Sequence, residues 1–90
     1  MQIIIDPHTL ARAQERGATE HEINDVIRNG SPIPAKLGRL AREKVFEFKK
    51  ERHGKHYEQK KVQVIYVQAG EFVNTVTVYV FYGYWEGSQP

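Results

Sequence analysis

Ninety residues, a net charge of +2 and no cysteine describe one domain spanning residues 1–90, because a chain of this length supports a single hydrophobic core. The missing cysteines exclude a disulfide framework and a thiolate metal site, and they suit a reducing compartment. The apolar start Ile3–Ile5 is stopped by Asp6 and Pro7, so it does not read as a signal peptide, and the runs Val62–Ala69 and Val73–Trp85 are too short to span a bilayer. The expectation is a cytoplasmic protein with no membrane partner.

In chain order, Gln2–Ile5 is apolar and β-branched and predicts a short strand. Asp6-Pro7 predicts a helix start, with Asp6 as N-cap and Pro7 at the first helical position. That helix runs to about Arg16, and Gly17 ends it in a left-handed cap. Thr19-Glu20-His21-Glu22 is a capping box, and Ile23, Val26 and Ile27 mark the buried stripe of a second helix. Asn29-Gly30 closes it, and Ser31-Pro32-Ile33-Pro34 predicts an extended connector. The second half is strand-like: Arg39–Lys50 with alternating Phe46 and Phe48, a polar turn at Gly54, and a return along Lys55–Gln68. Gly70-Glu71 then turns the chain into Val73–Trp85. Alternation on this last strand sends Val76, Val78 and Val80 toward the helices, and Thr75, Thr77, Tyr79 and Phe81 to the opposite face. The fold class that follows is α+β in the order β-α-α-β-β-β, an antiparallel sheet with two N-terminal helices on one face.

Charge is laid out unevenly. Residues 36–61 hold ten basic and four acidic side chains, whereas residues 1–35 hold three and five and residues 62–90 hold none and two. A run of this kind attracts polyanions, or it simply solvates a hairpin and blunts its strand edges. His8, Arg12 and Arg16 fall at i, i+4 and i+8, one polar stripe on the first helix. Two guanidiniums one turn apart can grip a phosphate, and a histidine beside them can move a proton. The same spacing also describes an ordinary solvated helix face. His53-x-x-His56 has two ligand-type side chains but no third at a metal-site spacing. No glycine loop cradles a phosphate and no nucleophile triad is visible, so neither a cofactor nor a metal is expected.

His8-x-x-x-Arg12-x-x-x-Arg16-Gly17, the capping box, the Pro-Ile-Pro connector and the closing Val76-Thr77-Val78-Tyr79 together resemble a bacterial domain-of-unknown-function family grouped with the RelE/ParE/BrnT-like toxins. The resemblance spans Ile3 to Trp85. It implies a RelE-like sheet with two helices on one face, and either metal-independent RNA cleavage or, in the ParE branch, action on gyrase. It also implies a small antitoxin protein as partner. The residues it carries over are His8, Arg12, Arg16, Thr77 and Tyr79.

Two readings follow. In the first the chain is a toxin-like ribonuclease in which the RNA 2′-OH attacks the adjacent phosphodiester. His8 transfers the proton, Arg12 and Arg16 clamp the phosphate, and Tyr79 stacks on a base or orients the leaving group. Lys44, Lys55 and Lys60 steer the backbone, beside Thr77. In the second the same surface binds a nucleic acid or a protein without chemistry. Target, cleavage preference and oligomeric state are not legible in the residues.

Overall fold

The first helix, α1 (Pro7–Arg16), begins where the Asp6 carboxylate accepts the Thr9 amide at 2.7 Å. Hydrogen bonding by Thr9 holds the Asp6 carboxyl below the usual carboxylate range. The second helix, α2 (Glu20–Asn29), carries the full capping box. The Thr19 hydroxyl accepts from the Glu22 amide at 3.1 Å, and the Glu22 carboxylate accepts from the Thr19 amide at 3.0 Å. The computed structural model describes residues 1–87; the end of the C-terminal segment lies outside them.

Five strands complete the fold: β1 (Gln2–Ile4), β2 (Ser31–Ile33), β3 (Leu40–Arg52), β4 (Lys55–Ala69) and β5 (Phe72–Gly83). They form one sheet in the order β1-β5-β4-β3-β2. Two expectations change here. The Ser31–Pro34 connector supplies a three-residue strand paired with Ala41–Glu43, and Pro32 is tolerated because this is an edge strand, where an N–H can be missing. The sheet is mixed and not purely antiparallel, because β1 lies parallel to Phe72–Asn74 of β5. The long excursion through both helices makes that parallel return possible.

Both helices pack on one face of the sheet. Their apolar stripe meets Val62, Val64 and Tyr66 of β4 and Val73 and Val78 of β5, with Ala13, Ala18, Ile23, Val26 and Ile27 from the helical half. Two strands depart from simple alternation: β3 takes an extra residue between Glu47 and Lys50, and β5 takes one opposite Ile65–Tyr66. Ile65 of β4 pairs with Thr77, but Tyr66 pairs with Thr75, so Val76 is an extra residue in β5. A bulge of this kind reverses the facing of everything beyond it. Thr75, expected beside Thr77 on the outer face, is therefore buried on the helix side. There its hydroxyl accepts from the Asp6 amide at 3.1 Å and ties the start of α1 to β5.

The β3–β4 hairpin turns on two residues, His53 and Gly54, with φ of 52° and 80°. That is the left-handed pair a type I′ turn requires, and histidine is among the side chains that tolerate it. The hairpin reaches back to the carboxyl end of α1, whose last carbonyls have no intrahelical partner. Arg52 Nη2 donates to the Glu15 carbonyl at 2.8 Å, Tyr82 Oη to the Arg16 carbonyl at 2.6 Å, and Lys60 Nζ to the Gly17 carbonyl at 2.8 Å. Three strands thus each supply one donor to one helix end.

Gly17 sits at the centre of this junction. Its φ is 92°, and a Cβ there would collide with the Tyr82 hydroxyl and the Arg52 guanidinium. Gly17→Ala is expected to cost about 2 kcal/mol or more from backbone strain alone. Urea denaturation checks this as a lowered midpoint at unchanged slope.

Candidate functional site

Alternation along β4 separates its residues cleanly. With Lys60, Val62, Val64 and Tyr66 against the helices, Lys61, Gln63, Ile65 and Val67 take the opposite face. Their partners on β5 are Phe81, Tyr79, Thr77 and Asn74. Among the described residues no helix packs on this face, so Tyr79 is 42% and Phe81 48% exposed. The Tyr84–Trp85 segment turns back at one end. The Trp85 amide donates to the Gln59 side chain at 2.7 Å, and the Lys61 ammonium lies 4.7 Å from the indole centroid.

The polar stripe of α1 meets this face through Arg16. Its guanidinium donates to the Val78 carbonyl at 2.7 Å and lies 5.0 Å from the centre of the Tyr79 ring. Beyond Asn74, β5 has no partner strand on that side among the described residues, so Arg16 caps an open edge and cradles an exposed ring at once. Arg12 is half-buried and paired with Glu15 at 2.7 Å. Its Nε is shielded from solvent without a partner. His8 is exposed near the start of the helix. Thr77 is half-buried on the open face, across from Ile65. Arg16 and Tyr79 are in contact; His8 and Arg12 stand further back along α1.

The lysines divide differently. Lys60 is only 7% exposed, and its ammonium is shared between the Gly17 carbonyl and the Glu22 carboxylate, each at 2.8 Å. Lys44 is half-buried on the helix side, 2.7 Å from Asp25, and with Asn29 it holds the Asp25 carboxyl below its usual range. Of the three steering lysines only Lys55 is exposed, beside the Tyr57 ring at 5.4 Å. Arg52 is half-buried against Tyr82, whose phenol is pushed up chiefly by burial. Four of the ten cations of the basic run, Arg42, Lys44, Arg52 and Lys60, are thus spent on internal contacts.

Sequence reasoning passed over Lys61, Phe81 as a site residue, and Trp85. The signal for Lys61 was present: if Val62 and Val64 face inward, period two turns Lys60 in and Lys61 out. Nothing local announces the Trp85 fold-back, because it depends on Gln59, a residue on another strand.

His53 is exposed at the hairpin turn, and His56 faces Glu58 at 3.2 Å. Among the described residues no group of three or more His, Cys, Asp or Glu side chains converges on a point that could hold a metal ion. No helix among them is long and apolar enough to cross a membrane. Comparison with protein-family models, with curated proteins and with solved structures gives no match for this chain.

The buried lysine gives a direct test. Lys60→Met strands the Glu22 carboxylate and the Gly17 carbonyl, and about 3 kcal/mol of stability should be lost. Lys55→Met, at an exposed position, should change stability by less than about 0.5 kcal/mol. Parallel denaturant titrations of the two proteins make the comparison.

Proposed function

We propose that this domain binds single-stranded RNA on the half of its open sheet face that carries Tyr79 and Phe81. The observation that carries the reading is Tyr79 itself, an exposed ring on a helix-free sheet face with the Arg16 guanidinium 5.0 Å from its centre. Exposed rings on a strand surface are platforms for unpaired bases, since every base offers a π face. Phe81, two residues along the same strand, supplies a second platform. Arg16 spends one nitrogen on Val78, and its remaining donors are available to a phosphate. The exposed Lys55, and Lys61, which also lies 4.0 Å from the Glu43 carboxylate, extend the positive surface toward the hairpin. The proposal keeps the grouping with the RelE/ParE/BrnT-like proteins, supported by two helices ahead of the antiparallel strands and by Arg16, the one member of the helix stripe that reaches Tyr79.

Anisotropy with a labelled single-stranded RNA tests the binding surface. Tyr79→Ala and Phe81→Ala should each weaken binding by 1–3 kcal/mol, roughly 5- to 150-fold. With three phosphates neutralised, the log–log salt slope should be about −2. Full affinity in a folded Tyr79→Ala, Phe81→Ala double variant would overturn the reading.

A catalytic version of this function, metal-independent cleavage by 2′-OH attack, is favoured by one specific observation. His8 is exposed on the same stripe, one turn ahead of Arg12, where an imidazole can take or give the proton. The expected result is RNA cleavage that persists in EDTA and falls about 100-fold or more in His8→Ala. Wild-type rates in that variant would remove the cleavage step and leave the binding surface standing.

A further inference from the structure

The rest of the open face has a different character. Its cross-strand rows are Ile33–Ala41–Ile65–Thr77, then Val67–Asn74–Ile4, with Phe72 at the end. None of these side chains is charged. Ile4, Val67 and Phe72 are 46%, 39% and 48% exposed. Charge at this end of the sheet sits in the loops beyond the strand ends, positive in the β2–β3 loop and negative in the β4–β5 turn. Lys36 and Arg39 are exposed in the β2–β3 loop, and Glu71 is exposed in the β4–β5 turn. Like several other charged side chains, all three lie outside the ion pairs found among the described residues. Between Lys36 and Arg39, Leu37 stands 90% exposed with a φ of 59°, a backbone conformation that a leucine rarely holds.

We infer that this charge-free half-face is the interface of a homodimer. A two-fold axis parallel to the strands, set between two stacked sheets, lays the β1–β5 side of one copy over the β2–β3 side of the other. Such an interface is self-complementary by symmetry, so uncharged rows meet uncharged rows with no like-charge penalty. The same rotation carries the Lys36 and Arg39 flank of each copy over the Glu71 flank of its partner, so both sets of unpaired charges find opposites. A partner of uniform charge would satisfy one flank and be repelled by the other. A nucleic acid would find no cation within the rows themselves. A second copy of this chain fits both the apolar rows and the divided flanks. The inference rests on other residues than the RNA reading. The same axis nevertheless brings the Tyr79–Phe81 halves of the two copies face to face, so RNA and a second copy exclude one another on this surface.

Sedimentation velocity on the full chain, from micromolar to sub-millimolar concentration, tests it. The expected result is a reversible monomer–dimer equilibrium. Val67→Glu, which needs no burial of charge in the monomer, should raise the dissociation constant about tenfold or more. Glu71→Lys should also weaken the dimer, and adding Lys36→Glu and Arg39→Glu to it should restore association. A chain that stays monomeric throughout overturns the assignment. So does a dimer indifferent to Val67→Glu and Glu71→Lys, since it forms elsewhere. Failure of the combined charge reversal to restore association, in proteins whose circular dichroism matches the parent, overturns the pairing of the flanks.

Discussion

The ammonium of Lys60 sits where three parts of the chain converge. It reaches the last carbonyl of the first helix turn-out at Gly17 and the carboxylate that begins the second helix at Glu22, while its own strand runs through the centre of the sheet. Burying a charge costs several kcal/mol unless it is met by charge and hydrogen bonds. Here a carboxylate and a helix carbonyl meet it, and the carboxylate is already fixed by the capping box. The angle between the two helices and their height above β4 are therefore tied to one side chain. Arg52 and Tyr82 complete the arrangement from the neighbouring strands.

That use of cations changes what the basic segment means. A run of ten positive side chains in residues 36–61 reads as a polyanion surface, yet Arg42, Lys44, Arg52 and Lys60 all turn toward the helical half and bind carbonyls or carboxylates there. The field that remains at the surface is smaller and differently placed. It lies on Arg16 and Lys61 around exposed aromatic rings, on Lys49, Lys50 and Lys55 toward the hairpin tip, and on Lys36 and Arg39 at the opposite end. The open face is thus divided along the strands into an aromatic, cationic part and an uncharged, aliphatic part.

Both helices were legible because their determinants are local: Asp6, Pro7, Gly17, Thr19 and Glu22 act within a few residues of where they stand. The long strands were legible for the same reason, through alternation and through turns at Gly54 and Gly70. Three features were not. The strand at Ser31–Ile33 exists because Ala41–Glu43 is there to pair with it. The parallel placement of β1 depends on a partner about seventy residues away. The extra residue at Val76 leaves no mark in a β-branched run, yet it decides that Thr75 is buried and Thr77 is not. The stripe His8–Arg12–Arg16 was correctly set on one helix face, but only the fold could show that Arg16 alone arrives at Tyr79. Lys60 was the instructive miss, because its facing was written in Val62 and Val64 and the charge run drew attention away from parity.

The capture of the α1 carbonyls has a consequence for how the chain reaches this structure. The donors lie 37 to 66 residues downstream of the carbonyls they satisfy. An isolated ten-residue helix is marginal in water, so α1 gains its last turn only when the β3–β4 hairpin and β5 have already closed. Those closures are the non-local, slow events of folding. The order of synthesis and the order of consolidation are therefore opposed: α1 is made before the strands that cap it and is finished after them, and until then its carboxyl end remains bound to water.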